Sequence, residues 1–196
     1  FDGGFKLEKV TDTYGKQLPY KVNETMMRID LPKPLKKGES FSFKIKYFYN
    51  INDRMKIGGR SGYEHFEEDD NSIYTIAQFF PRMAVYNEVE GWQNKQFLGR
   101  GEFTLPFGDY RVSITVPDDH IVAATGELIN HSNVLSKKQI KQWEKAKKNY
   151  IDPVIIVSED EAIENEKTKS TSNKTWVFEA KNVRDFGWAS SRKFIW

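Results

Sequence analysis

Strict alternation of apolar and polar residues is the feature that most limits the folds open to this chain. From Ser40 to Tyr49, the run SFSFKIKYFY puts Phe41, Phe43, Ile45, Tyr47 and Tyr49 on one side. Ser42, Lys44 and Lys46 take the other side, and Phe48 is the single exception. Successive side chains point to opposite faces only in an extended backbone, so this pattern buries one face as a strand and not as a helix. Tyr110 to Val116 repeats the device, with Tyr110, Val112, Ile114 and Val116 set against Arg111, Ser113 and Thr115. Thr25 to Leu31 does so again, and Pro32-Lys33-Pro34 with Lys37-Gly38-Glu39 marks the connection to the next strand. Ile73 to Phe80 and Thr175 to Ala180 also have β character, and Ile121 to Thr125 is expected to pair with a segment before the turn at Gly126. The expected class is mainly β, an antiparallel saddle or sandwich.

Ser136 to Lys169 departs from this pattern. Ser136-x-x-Gln139 and Ser158-x-x-Glu161 are capping boxes, in which a hydroxyl and a long polar side chain satisfy each other's backbone donors at a helix start. Ile140, Trp143 and Ala146 recur at helical spacing after the first box. Two short helices inserted between strands are predicted, separated by Asp152-Pro153 and the apolar run Val154 to Val157, itself a candidate strand.

The 196 residues fit one domain over 1–196, with this insertion inside it. Such a length buries roughly 70% of the unfolded chain's surface, enough for a core without covalent staples. Cysteine is absent, which removes disulfides, thiolate metal sites and a thiol nucleophile together. Thirty basic residues against 28 acidic ones are too balanced overall to suggest nucleic acid or a membrane surface as partner. Apolar runs fall far short of the roughly 20 residues that span a bilayer. Phe1-Asp2-Gly3-Gly4 and the apolar end at Trp196 both read as cuts in a longer protein.

Candidate chemistry is sparse. His65, His120 and His131 are the only histidines, and none forms the i, i+4 pair that sets two imidazoles on one helix face. All three are expected in loops in contact with water, with no catalytic or metal residue among them. The acidic run Glu67-Glu68-Asp69-Asp70 lacks the ligand alternation and central glycine of a calcium loop and reads as a solvated loop. Lysines from Lys137 to Lys148 read as an exposed helix face. Aromatic residues make up 14% of the chain, which admits a free-standing β-sandwich binding a polysaccharide or a protein. Most of these aromatics fall on inward-facing strand positions, and core packing accounts for them.

Gln78 to Leu128 carries an ordered set of signals: Gln78-Phe79-Phe80-Pro81-Arg82, Gly91-Trp92, Glu102-Phe103-Thr104, a turn at Pro106-Phe107-Gly108-Asp109, then two strands around Pro117-Asp118-Asp119. Asn182-Val183-Arg184-Asp185-Phe186-Gly187-Trp188-Ala189 follows later. This order resembles the N-terminal β-domain of the aminopeptidase N family of zinc metallopeptidases, and the second run is similar to the N-x-x-D-F-A-W/F-A end of that domain. A bacterial subgroup is implied, with the periplasm or cell envelope as compartment. No H-E-x-x-H and no G-x-M-E-N-like run occurs. The resemblance therefore implies a non-catalytic domain whose partners are a catalytic domain later in the same chain and a peptide substrate, with zinc held by the parent enzyme and not by this segment. It also implies that Gln78 lines the pocket for the first substrate residue. Phe80 stands where the family carries a second polar residue and cannot hold an ammonium group, and Glu88 and Glu90 are weak substitutes. The Ile73 to Trp92 segment is expected to form a face with Phe79, Phe80, Met83 and Tyr86 exposed on it.

Overall fold

Alternating segments pair with one another throughout the computed structural model, which describes residues 3–100 and 104–196. In chain order the strands begin with β1 (Lys6–Asp12), β2 (Tyr20–Asn23), β3 (Met26–Ile29), β4 (Phe43–Phe48), β5 (Gly62–Phe66) and β6 (Asn71–Ile76). They continue with β7 (Tyr86–Asn87), β8 (Gly91–Trp92), β9 (Gly108–Pro117), β10 (Ile121–Ala124), β11 (Glu127–Leu128), β12 (Asn173–Val183) and β13 (Trp188–Ser191). Four helices join them: α1 (Arg54–Ile57), α2 (His131–Val134), α3 (Lys137–Ala146) and α4 (Glu159–Glu166). Among the described residues every strand pair is antiparallel and no sheet closes into a barrel, so the chain is mainly β. Glu102 and Phe103 of the Glu102-Phe103-Thr104 run lie outside the described residues, as do Phe1 and Asp2 of the opening tetrapeptide. No helix among the described residues is long and apolar enough to cross a membrane.

The described fold gathers into two compact units. The first holds the chain up to Ile51 together with Met83–Leu105, and the second holds Asn52–Arg82 and Pro106–Trp196.

The first unit is built of two-stranded pieces: β1 with β4, β2 with β3, and β7 with β8. Ile45 sits opposite Val10 in the β1–β4 ladder, and Phe5 packs its ring edge-on to Tyr47 at 5.1 Å. The β2–β3 hairpin turns at Glu24 and Thr25, with Glu24 in the left-handed region at φ 51°. Gln96 clamps this turn, accepting from the Thr25 backbone N–H at 2.8 Å and donating to the Asn23 carbonyl at 2.8 Å.

The second unit has two larger sheets, ordered β10-β13-β6-β5 and β11-β12-β9. In the second of these, β9 and β12 pair along most of their length, and their inward residues Ile114, Val116, Trp176 and Phe178 enter the core. A bulge follows Ala180, where Asn182 takes φ 54° and its N–H reaches Asp109 Oδ1 at 2.9 Å. Gly126 turns the chain between β10 and β11 at φ 91°, where a Cβ would stand 2.2 Å from the Glu179 carbonyl oxygen; only glycine fits there. Of Ile121 to Thr125, Ile121–Ala124 does form a strand, but this β10 pairs with β13, which lies well after Gly126 and not before it.

Both capping boxes form. Ser136 accepts from the Gln139 N–H and Ser158 from the Glu161 N–H, each answered by the partner side chain on the cap backbone. Trp143 of α3 is buried in the core, and Lys138 reaches across to Glu161 of α4 at 3.0 Å. Val154 to Val157 is not a regular strand, although Val157 exchanges backbone hydrogen bonds with Trp196 at 2.8 and 3.1 Å.

Candidate functional site

β6 ends at Ile76 and the chain turns sharply at Gln78, an exposed residue held at φ 54°. A left-handed backbone is uncommon for a residue with a Cβ and persists where its surroundings fix it. Here the following residues do the fixing. Phe79 meets Phe186 at 6.5 Å and Trp188 at 6.3 Å, both edge-on. Phe80 meets Tyr110 at 5.7 Å, and Tyr110 leans on Phe186 at 6.1 Å. Arg82 then donates to Asp185 at 2.8 Å, across 103 residues of sequence. Asp185 also accepts from its neighbour's N–H, that of Phe186, at 2.9 Å. Burial raises the Tyr110 phenol above its ordinary pKa, the Asp185 carboxylate adds to the rise, and Arg82 opposes it.

The backbone completes this junction. Trp188 lies opposite Ile76 in the β6–β13 ladder, and Gly187 exchanges hydrogen bonds with Thr125 at 3.0 and 3.1 Å. A Cβ on Gly187 would sit 3.4 Å from the Ile76 carbonyl oxygen, a tight fit. Thus Gln78–Arg82 and Asn182–Ala189, remote in sequence, form one aromatic and ionic junction with Gln78 at its exposed rim. A shallow depression of about 370 Å³ lies elsewhere, in the first unit, walled by Pro32, Leu35 and Phe41.

The expected exposed face divides between the two units. Phe79 and Phe80 are half-buried against the core of the second unit, because aromatic partners from β9 and β13 reach them. Met83 and Tyr86 belong to the first unit and are exposed, as are Glu88 and Glu90.

His120 is a correction. It is no water-contacting loop residue but 3% exposed, with Nδ1 2.8 Å from Ser190 Oγ. Burial pushes its pKa down to about 4; Arg192 and Lys174 push the same way, and Asp119 opposes them. Beside it Arg192 Nε donates to Asp119 Oδ2 at 2.8 Å, and the same oxygen accepts from Ser170 N at 2.7 Å and Thr168 Oγ1 at 3.0 Å. Burial would raise the Asp119 carboxyl, but these hydrogen bonds outweigh it and hold the pKa below its ordinary value. Sequence reading missed this group because its partners lie 49 to 73 residues away. Ser190 and His120 are sealed at 1% and 3% exposure, so no substrate reaches the pair and it acts as a lock between β10, β13 and the end of the insertion.

The acidic run is an exposed turn at Glu67, Glu68 and Asp70, and Asp69 alone is tied into the fold. Asp69 pairs with Lys193, which also reaches Glu166 at 3.1 Å, and Asn71 is 2% exposed with its amide on the Glu166 carbonyl at 2.9 Å. Of the run's carboxylates, Asp69 is the one held by a cation in a part-buried setting. His65 touches Ser72 at 3.1 Å, and His131 stacks on Trp143 at 4.1 Å. Among the described residues no three His, Asp or Glu side chains converge in a group that could hold a metal ion. Compared with protein-family models, curated proteins and solved structures, the chain matches none.

Proposed function

We propose that this chain is the non-catalytic N-terminal β-domain of a zinc metallo-aminopeptidase of the aminopeptidase N type, saddle-like in form, with Gln78 presented to the first residue of a peptide substrate. The observation that carries this reading is the junction of Gln78–Arg82 with Asn182–Ala189. The first opens the Gln78–Leu128 stretch and the second is the other run on which the resemblance rests, and Arg82–Asp185 with Phe79–Trp188 ties them together. Support also comes from Gln78 itself. Its amide can donate and accept, and a fixed left-handed turn holds it at the surface instead of in the core. The domain supplies docking surface and one pocket wall. Zinc and its chemistry belong to the catalytic domain.

The test is made on the complete product of the gene. It should hold stoichiometric zinc and hydrolyse aminoacyl anilides, whereas the 196-residue chain should do neither. A complete product with no metal-dependent peptidase activity overturns the proposal.

A second reading, a free-standing module that binds a polysaccharide or a protein, is favoured by Tyr86 and Trp92. These stand 63% and 57% exposed and 5.3 Å apart on the β7–β8 hairpin. Retardation of the chain in gels containing a soluble polysaccharide, abolished by Trp92→Ala, would support that reading.

A further inference from the structure

Six lysines lie between Lys137 and Lys148, on α3 and the turn that extends it. Two are neutralised within the fold: Lys138 by Glu161 at 3.0 Å and Lys147 by Glu127 at 2.7 Å. The other four, Lys137, Lys141, Lys145 and Lys148, are exposed and have no ion-pair partner among the described residues. Steps of four, four and three residues set them in one row along the helix, opposite Trp143 and Ala146, which pack on the core. At 1.5 Å per residue the row runs roughly 16 Å.

The chain beyond the row ends in an apolar tip. Tyr150 and Ile151 are 93% and 89% exposed. The tip is built rather than loose, since Asn149 Oδ1 accepts from the N–H groups of Ile151 at 3.2 Å and Asp152 at 3.4 Å. Two neighbouring large apolar side chains left almost wholly in water beside an unneutralised cation row are the signature of an interfacial contact. The nearby acids, Glu144 and Asp152, do not cancel four cations, and Glu144 leans toward His131 at 3.9 Å.

We propose that α3 and the Tyr150–Ile151 tip form a docking surface for an anionic lipid leaflet. The four lysines lie over headgroup phosphates, while Tyr150 and Ile151 enter the boundary between headgroups and acyl chains. Charge complementarity selects an anionic partner, and the apolar tip selects lipid over a nucleic acid. Along the row itself no aromatic face is available for bases to stack on, because Trp143 is buried. This surface does not include Gln78 and does not depend on the peptidase reading.

Co-sedimentation with vesicles tests it. The 196-residue chain should pellet with phosphatidylcholine–phosphatidylserine vesicles, not with phosphatidylcholine alone, and salt should release it. Replacing Lys137, Lys141, Lys145 and Lys148 by Gln should weaken binding by roughly fivefold per lysine. Tyr150→Ser with Ile151→Ser should weaken it severalfold with the lysines intact. All six side chains are exposed, so circular dichroism should show both variants folded. Absence of binding, or equal binding to neutral vesicles, overturns the proposal. So does a Tyr150/Ile151 variant of undiminished affinity whose binding a DNA duplex competes away, which would mark a polyanion site instead.

Discussion

The two units spend their apolar residues differently. The strictest alternation in the sequence, Ser40 to Tyr49, lands in the first unit, yet no residue of β4 is fully buried. Val10 and Leu18 are the only fully buried hydrophobic residues described there. In the second unit the comparable alternation of β9 delivers Ile114 and Val116 into a core with Trp176, Phe178 and Phe186. Alternation reports that a segment is a strand and which way its faces point. How deeply a face is buried depends on what covers it. A two-stranded ribbon covers little, while two sheets and the inserted helices cover much.

Trp176→Ala should have the largest effect. Trp176 is 0% exposed and stacks on Phe178, so the cavity should cost about 3–5 kcal/mol and shift the denaturant midpoint of the second unit. Arg192→Ala should follow closely. It leaves the Asp119 carboxylate buried at 8% exposure without its cation, a loss of about 3–5 kcal/mol by the same measurement.

His120 gives a pH signature confined to the second unit. Its folded pKa of about 4 lies below the ordinary 6.5, so the folded chain binds fewer protons than the unfolded chain in between. Stability is fully present above pH 6.5 and falls as pH drops through that window, by about 3 kcal/mol in all. Unfolding curves of His120→Gln should lose this slope. A slope that survives the substitution assigns the effect elsewhere. In the first unit, Leu18→Ala should cost about 2–3 kcal/mol, read as faster amide exchange in β1 and β4. Phe48→Ser, at a side chain 55% exposed, should change stability by less than about 0.5 kcal/mol. A larger loss would show that this face is covered after all.

Local chemistry made much of this fold legible. Both capping boxes formed where Ser136 and Ser158 stood, because such a box is satisfied within four residues. β4 and β9 formed where period-two patterns ran. Pairings between distant residues were not legible. His120 with Ser190, Asp119 with Arg192 and Asp69 with Lys193 join side chains that share no local pattern, and so a buried histidine and the tethered Asp69 both read as surface. The balanced net charge of +2 likewise averages away the lysine row on α3. At the candidate site, Gln78–Arg82 and Asn182–Ala189 lie about 100 residues apart in sequence, and the fold joins them through Arg82 and Asp185.

Gln78 at that junction is the residue on which the proposed pocket depends. For the zinc metallo-aminopeptidase proposed above, the most direct test is kcat/KM across a panel of aminoacyl substrates with Gln78→Ala. Preference for the first residue should change by roughly 1–3 kcal/mol between substrates, the scale of one lost pocket contact, with zinc content unchanged. Identical ratios across the panel in mutant and parent would remove Gln78 from the substrate pocket and contradict the account.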